Sequence, residues 1–280
     1  MPLANSNGRL VIIGGAEDKD GECLVLEEAV RLAGGQKARL LVLTAATGHP
    51  EEVGSTYREV FRRLGAAEVA VLDINTRLQA ENPLVVELVN ACSGIFFTGG
   101  DQLRITGLIG GTPLFHQLKE AYQRDVVIAG TSAGASVMSS TMIVGGSDEK
   151  EPTCGAVRLA PGFGLVSDVV IDQHFAQRGR LGRLLSAVAQ NPYVLGIGID
   201  ENTAMIVDGP KFSVIGTGTV SVIDAQHISF TNVSEVSPQE ALALADVRLH
   251  VLPDGYSFDL QKRQPRLGVD RASRNAKGGN

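Results

Sequence analysis

Short apolar runs rich in β-branched residues recur through the first half of the chain, and each ends at a glycine or a small polar residue. They cover residues 10–13, 40–44, 69–72, 95–98 and 126–129, with longer segments of mixed pattern between them. Runs that are apolar on both faces and alternate with helix-like segments are typical of parallel strands covered by crossover helices. The sequence therefore predicts an α/β fold built on a doubly wound, mostly parallel sheet.

The pattern changes after Gly145, where predicted strands follow one another with little helix between them. These strands cover residues 196–200, 204–207, 213–216 and 220–223, and one helix is predicted over residues 181–190. We expect them to form an antiparallel C-terminal extension of the same sheet, so that residues 1–271 make a single domain. The polar, glycine-rich residues 272–280 are predicted to be a disordered tail.

Composition excludes several classes of protein. A net charge of −6 argues against a nucleic-acid partner, because such partners require a basic surface. Cys23, Cys92 and Cys154 are widely spaced and none lies near a histidine at metal-ligand spacing, so we expect buried thiols in a reducing compartment and no metal or other cofactor. The N-terminal residues lack a signal-peptide pattern and no segment is long and apolar enough to span a membrane, which predicts a cytoplasmic protein without a membrane partner.

The segment GTSAGA, residues 130–135, follows the fifth apolar run and contains the pattern G-x-S-x-G. In a nucleophile elbow this pattern holds the serine on a strained turn between a strand and a helix, and the next backbone N–H points at the developing oxyanion. An ordinary glycine-rich turn would have the same five letters. The strand before the motif and the helix after it favour Ser132 as a nucleophile.

A serine nucleophile needs a base, and the chain has five histidines. His174 follows the apolar run at residues 169–171 and so lies at a strand end, where the chemistry of an open α/β sheet is expected. The other histidines occur in contexts more typical of surface or structural residues, and they are His49, His116, His227 and His250.

A third group must orient the imidazole, and three carboxylates are candidates: Asp148, Asp200 and Glu201. Adjacent residues of a strand point to opposite faces, so at most one of Asp200 and Glu201 can face His174. The chain order of serine, histidine and then acid differs from that of α/β-hydrolases, in which the acid precedes the histidine. A serine hydrolase with this order belongs to another lineage.

Five blocks resemble the cyanophycinase family, serine peptidases related to dipeptidase E. They are GGAEDK (14–19), FTGGDQLR (97–104), AGTSAGA (129–135), DQHF with RGRLGRLL (172–185) and GIGIDENTA (196–204). The resemblance extends over about residues 9–250 and implies a fold like that of flavodoxin and class I glutamine amidotransferases. It also implies roles for six residues: Ser132 as nucleophile, His174 as base, Glu201 as orienting acid, and Ala133, Gly99 and Gly100 as the oxyanion hole.

The resemblance further implies the substrate cyanophycin, multi-L-arginyl-poly-L-aspartate, the release of β-Asp-Arg dipeptides, and a homodimer. The implied substrate pocket consists of Gln102, Asp172, Gln173, Arg178, Arg180 and Arg183. A substrate that alternates guanidinium and carboxylate groups suits a pocket with both an acid and arginines. Without the other blocks, a solvated start of a helix would explain the arginines as well.

One departure and two alternatives stay open. The segment at residues 145–157 is more charged than expected of a substrate-lining loop, which suggests an altered chain-length preference. An α-aspartyl dipeptidase of the dipeptidase E type is disfavoured, because a small dipeptide does not need three arginines. A non-catalytic nucleotide-binding protein would use the glycine pairs at 14–15 and 99–100, but GGAEDKD puts acids where phosphate would lie and does not complete G-x-G-x-x-G.

Overall fold

The computed structural model describes residues 8–146 and 151–266, which form strands β1–β17, helices α1–α8 and one 3₁₀ turn at Gly35–Lys37. The strands of the first half are β1 (Arg9–Ile13), β2 (Arg39–Leu43), β3 (Glu68–Leu72), β4 (Gly94–Phe97) and β5 (Val127–Thr131). The later strands are β6 (Thr141–Gly146), β7 (Val157–Pro161), β8 (Val169–Gln173), β9 (Leu195–Ile199), β10 (Thr203–Asp208), β11 (Lys211–Gly216), β12 (Thr219–Asp224), β13 (Phe230–Thr231), β14 (Leu244–Ala245), β15 (Arg248–Pro253), β16 (Ser257–Asp259) and β17 (Gln264–Arg266). The helices are α1 (Leu24–Leu32), α2 (Pro50–Arg63), α3 (Arg77–Ala80), α4 (Pro83–Ala91), α5 (Gln102–Ile109), α6 (Pro113–Gln123), α7 (Ala133–Ser136) and α8 (Leu181–Gln190).

The central sheet follows the prediction closely. Its parallel part has the strand order β1-β5-β4-β2-β3, and β10, β11, β16 and β17 continue it beyond β1 as antiparallel neighbours. The five apolar runs of the first half all became strands of the parallel part, and α8 covers the predicted helix. The α/β class and the antiparallel extension of a mostly parallel sheet are confirmed.

One expectation about the second half is wrong in part. Only β10 and β11, of the four predicted strands, extend the central sheet, whereas β9 and β12 lie in a separate sheet with the order β15-β12-β9-β8. Three strands of this second sheet, β8, β9 and β12, are buried on both faces. Ile197 and Val222 join the core shared with the central sheet, while Val170 and Ile223 pack with α8. A strand buried on both faces has the same apolar pattern in either sheet, so the pattern could not assign it.

Two apolar layers cover the central sheet. Alternate residues of β1 enter opposite layers, so that Ile12 packs with α5 and α6 while Ile13 packs with α1 and α2. The core on the Ile12 side also includes residues of the second sheet. A single domain over residues 1–271 stays a prediction, which this shared core supports, and residues 272–280 lie outside the described part. No helix in residues 8–146 and 151–266 is long and apolar enough to cross a membrane.

The loops that follow β1, β2, β4 and β5 meet at one rim of the central sheet. The Ser132 N–H donates to the carbonyl oxygen of Ile13 at 3.0 Å, and the Asp101 N–H donates to that of Ala46 at 2.9 Å. These bonds connect the ends of neighbouring parallel strands, where ligands of open α/β sheets bind. The rim brings together the loops that the sequence marks with glycine and small polar residues.

Candidate active site

Ser132 lies between β5 and α7 in a strained backbone conformation with φ 53° and ψ −110°. Two glycines make this turn possible. A Cβ atom on Gly130 would lie 2.5 Å from the carbonyl oxygen of Gly134, and one on Gly134 would lie 2.4 Å from that of Phe97. Because a non-glycine residue at positive φ persists only where its surroundings enforce it, the turn holds Ser132 in a defined position.

The side chain of His174 meets Ser132 directly. Its Nε2 lies 3.0 Å from the Ser132 Oγ, and the imidazole is only 12% exposed. His174 follows β8 with φ 48°, and its backbone N–H donates to the carbonyl oxygen of Gly14 at 2.8 Å. A Cβ on Gly15 would lie 2.3 Å from the His174 Cε1, so the loop after β1 packs against the ring.

The carboxylate of Glu201 completes a chain of hydrogen bonds. Its Oε1 lies 2.6 Å from Nδ1 of His174. A carboxylate at this position favours the tautomer with the proton on Nδ1, which leaves Nε2 free to accept the serine proton. The backbone N–H of Glu201 donates to Oε1 of Gln177 at 3.1 Å, so the loop after His174 also positions the acid.

Asp200 points away from His174. Its carboxylate is buried and accepts hydrogen bonds from the Ala176 N–H at 3.0 Å and from both the N–H and the hydroxyl of Thr219 at 2.9 Å. It therefore ties the loop after β8 to the start of β12. Asp148, the third candidate, lies outside the described residues, as does part of the charged segment at 145–157. Among the described candidates, Glu201 is the carboxylate that the structure brings to His174.

Two of the expected oxyanion-hole residues, Gly99 and Ala133, adjoin Ser132. A Cβ on Gly99 would be 3.9 Å from the Ser132 Oγ, and Ala133 begins α7 directly after the serine. Gly100 has φ 141° and approaches the carbonyl of Ala46 so closely that a Cβ would lie 2.1 Å from it. Within the described residues, the backbone N–H groups of Ala133, Gly99 and Gly100 donate to no protein acceptor. They are free to donate to a ligand.

Three residues of the expected substrate pocket form a buried ion cluster instead of an open surface. The side chain of Asp172 is 1% exposed and those of Arg180 and Arg183 are 6% and 7% exposed. Arg183 Nε donates to Asp172 Oδ2 at 2.7 Å, and Arg180 Nη1 lies 3.4 Å from Asp172 Oδ1. Arg180 also donates to Oε1 of Gln173 at 3.1 Å. The carboxylate of Asp172 is thus committed to the protein's own arginines.

Gln102 and Arg178 are the more accessible members of that expected set. Gln102 begins α5 and donates from Nε2 to the carbonyl oxygen of Ile143 at 2.7 Å, which leaves its amide oxygen available. Arg178 is exposed, and its backbone N–H donates to the His174 carbonyl at 3.1 Å. Its guanidinium has no acceptor among the described residues. Both lie on elements that border the Ser132–His174 pair.

Three residues near the site were not predicted from the sequence. Glu17 is 4% exposed and accepts a hydrogen bond from the hydroxyl of Thr131, the residue before Ser132. Asn202 donates its N–H to the Gly15 carbonyl at 2.9 Å, and its Oδ1 accepts from the Asp18 N–H at 2.9 Å. The third is Gln177. The only sequence signal for Glu17 was an acid two residues after a glycine pair at a strand end.

The cysteines are free thiols, and only Cys23 is fully buried, whereas Cys92 and Cys154 are half-buried. The prediction of buried thiols is therefore right for Cys23 alone. Burial raises the pKa of the Cys92 thiol to about 11, which keeps that side chain protonated at neutral pH. In residues 8–146 and 151–266, no group of three or more histidine, cysteine, aspartate or glutamate side chains could hold a metal ion.

Comparison with known proteins places this chain in a family. The model of Peptidase family S51 matches residues 10–215 of the chain. The chain belongs to this family. Membership of this family and similarity to its curated relatives identify the chain as a serine-type peptidase.

Three curated relatives of this S51 peptidase are named cyanophycinase. That of Geminocystis herdmanii (strain PCC 6308) is 40% identical over 262 residues, which cover 93% of this chain and 96% of the relative. That of Nostoc sp. (strain PCC 7120) is 40% identical over 94% of this chain and 89% of its own. That of Synechococcus elongatus is 39% identical over 92% and 80%, respectively.

Two solved structures share the fold. A peptidase from an acI-B1 Actinobacterium superposes with a TM-score of 0.66 at 23% identity, covering 91% of this chain and 98% of that one. A putative peptidase E protein from Listeria monocytogenes EGD-e superposes with a TM-score of 0.55 at 16% identity, covering 75% and 99%. These likenesses support the α/β architecture of this S51 peptidase.

Proposed function

We propose that this S51 peptidase is a cyanophycinase: a serine exopeptidase that hydrolyses multi-L-arginyl-poly-L-aspartate to β-Asp-Arg dipeptides. Relatives of that name are 39–40% identical over more than nine-tenths of the chain. The observation that carries the mechanism is the hydrogen-bond chain from Ser132 Oγ through His174 to Glu201 Oε1. A nucleophile, a base and an orienting acid in this order are the components of a serine hydrolase.

In the proposed reaction, Ser132 Oγ attacks the backbone carbonyl carbon of an aspartyl residue of the polymer. His174 Nε2 takes the serine proton and then gives it to the departing amine, which leaves an acyl-enzyme at Ser132. Water enters and His174 takes its proton. Collapse of the second tetrahedral intermediate returns that proton from His174 to Ser132 Oγ and releases the acyl half of the cleaved chain, so that the β-Asp-Arg dipeptide is one of the two halves. Glu201 stabilises the imidazolium in both halves of the cycle through the contact at Nδ1.

We assign stabilisation of the oxyanion to backbone N–H groups of Ala133, Gly99 and Gly100. The proposal is supported by the absence of a protein acceptor for these donors within the described residues and by the closeness of Gly99 to the serine hydroxyl. Because they belong to a helix start and a tight glycine turn, they are oriented before the substrate binds. Preorganised donors of this kind make a large contribution to acyl-transfer catalysis, about 3–4 kcal/mol for a single donor.

For substrate recognition, we assign the direct contacts to Gln102 and Arg178. Arg178 has an exposed guanidinium that can bind the α-carboxylate of a substrate arginine, and the amide oxygen of Gln102 can accept from a guanidinium of the substrate. The buried ion cluster of Asp172, Arg180 and Arg183 then acts indirectly. It holds Gln173 and the loop that follows β8 in position. This division of roles follows from their burial.

Mass spectrometry of the products formed from purified cyanophycin tests the proposal. We expect a single soluble product with the mass of β-Asp-Arg, and its continuous appearance from the start of the reaction is the mark of an exopeptidase. Asp-X dipeptides serve as the comparison substrates. Their hydrolysis without any release from the polymer would favour an α-aspartyl dipeptidase, and inactivity on both would contradict the assigned substrate class.

Three further assignments are part of the same proposal: a cytoplasmic location, homodimeric assembly and one domain over residues 1–271. The shared core of the two sheets supports the single domain. Light scattering on the purified protein checks the dimer, for which a mass of twice 29.5 kDa is expected.

A further inference from the structure

Glu17 is a buried carboxylate that accepts a hydrogen bond from Thr131, the residue before the candidate nucleophile. Its side chain is 1% exposed, although it lies in the loop after β1, four residues beyond the end of the strand. A carboxylate taken out of water is strongly unfavourable unless charged or hydrogen-bonding partners replace the lost hydration. The partners of Glu17 therefore indicate why the chain buries it there.

Each carboxylate oxygen has a defined partner on a different element. Oε2 accepts from the Thr131 hydroxyl at 2.5 Å, at the end of β5. Oε1 accepts from the hydroxyl of Tyr57 on α2 and lies 3.0 Å from the ammonium of Lys19. Burial and the negative charge of Glu17 raise the pKa of Tyr57 well above its usual range, so the tyrosine remains a hydrogen-bond donor at any physiological pH.

Glu17 and its loop contact the backbone next to both reacting side chains, Ser132 and His174. Thr131 is the residue before Ser132 and is 3% exposed, so the hydrogen bond that its hydroxyl donates to Glu17 holds the last residue of β5 before the strained turn. The Glu17 loop also carries Gly14, whose carbonyl accepts from the His174 N–H, and Gly15, which packs against the imidazole. One carboxylate thus connects the backbone of the nucleophile to the loop that supports the base.

We propose that Glu17 is a positioning residue for catalysis, which sets the distance between Ser132 and His174 by binding Thr131. It does not touch the reacting atoms. The inference rests on the proposed role of Ser132 as nucleophile. Because the serine backbone is held at φ 53°, a conformation that local preference disfavours, it depends on such external contacts to keep its position. A displacement of about 1 Å between reacting groups lowers rates by about 100-fold.

The test compares Thr131→Val with Thr131→Ser, because valine removes the hydroxyl at nearly constant shape and serine restores it. Thr112→Val is the matched control: its hydroxyl is equally buried and donates to the Ile109 carbonyl at 2.6 Å, at the start of α6 away from the site. The primary readout is the rate of covalent modification by an alkyl fluorophosphonate, in which the serine oxygen bonds to phosphorus and fluoride leaves. Peptide mass spectrometry locates the adduct, and melting temperature and kcat are measured in parallel.

We expect Thr131→Val to lower the modification rate of Ser132 and kcat by about 10- to 100-fold, with KM nearly unchanged. Thr131→Ser should stay within about threefold of the wild type. Thr112→Val should lower the melting temperature by a similar few degrees, about 2–6 °C, without slowing the modification of Ser132. A general loss of stability cannot produce this difference between the two valine variants.

The outcomes separate this proposal from the one on which it rests. Modification of Ser132 in Thr131→Val at the wild-type rate would overturn the role of Glu17 while leaving the nucleophile in place. A wild-type protein that carries no adduct at Ser132 would overturn both.

If Thr131→Val does not fold, Glu17→Gln replaces it, since the amide keeps the shape and loses the charge and one acceptor. We expect it to lower the modification rate about 10-fold or more, and wild-type reactivity would overturn the proposal.

Discussion

Gly15 and the imidazole of His174 are in direct contact: a Cβ atom on the glycine would lie 2.3 Å from the ring carbon Cε1. Gly15 also has φ 104°, a backbone conformation that residues with a side chain rarely adopt. We predict that Gly15→Ala displaces the ring from Ser132 and lowers kcat/KM by about 100-fold. The control is Gly35→Ala, which has φ 60° but open space around its Cβ. It should lose about 1–2 kcal/mol of stability and keep its activity. Equal activity of both variants would contradict a positioning contact at Gly15.

Glu201 and Asp200 offer a comparison between adjacent carboxylates with different partners. We predict that Glu201→Gln lowers kcat by about 100- to 10,000-fold, because the amide no longer holds the imidazole in the required tautomer and cannot stabilise its positive charge. Asp200→Asn loses bonds to Ala176 and Thr219 and should reduce the free energy of unfolding by about 1–3 kcal/mol, with the smaller loss of kcat. Urea unfolding and steady-state kinetics check the pair. A larger kcat defect in Asp200→Asn would mean that the wrong acid has been assigned.

Arg178 and Arg183 should respond differently to replacement by methionine. Arg183→Met leaves the buried carboxylate of Asp172 without its main partner, so we predict a loss of about 3–5 kcal/mol in the free energy of unfolding. Arg178→Met removes an exposed guanidinium and should change stability by less than about 0.5 kcal/mol, while the KM for cyanophycin rises. Denaturation curves and KM values measure both effects. If Arg183→Met kept its stability and had a raised KM, Arg183 would instead be a residue that contacts the substrate.

Tyr57 makes the stability of the fold dependent on alkaline pH. Burial, together with the charge of Glu17, raises the pKa of Tyr57 in the folded state, whereas in the unfolded chain it is about 10. Below pH 10 both states keep the proton; above it the unfolded state loses the proton first, so stability falls as the pH rises, by about 1.4 kcal/mol per pH unit. We predict that Tyr57→Phe lacks this part of the alkaline loss. Urea unfolding of both proteins at pH 9 and pH 11 measures the effect. An equal fall in the free energy of unfolding of the two proteins between these pH values would refute the prediction.

The sequence predicted the parts of the molecule that depend on local pattern. The five parallel strands and α8 followed from apolar periodicity and length, and the turn at Ser132 followed from its flanking glycines. It did not predict which sheet β9 and β12 would join, because a strand buried on both faces looks alike in either. Strand pairing is decided by contacts distant in sequence, which a local pattern does not contain.

The same limit applies to the site. Ser132 and His174 are identifiable as polar residues at strand ends, and their meeting depends on the shared rim. Asp172 and Arg183 have the residue types of a substrate pocket and equally those of an internal ion pair, and only their burial separates the two. Glu17 is bound to a threonine 114 positions away in the chain, a pairing without any local signal.

The most direct test of the central claim is the rate at which Ser132→Ala releases β-Asp-Arg from cyanophycin, measured by mass spectrometry beside the wild type. Alanine removes the attacking oxygen while the strained turn and the His174–Glu201 contact remain, and near-unchanged circular dichroism checks that the fold is kept. We expect the rate to fall by about 10,000-fold or more. Release by Ser132→Ala at more than a tenth of the wild-type rate would contradict it.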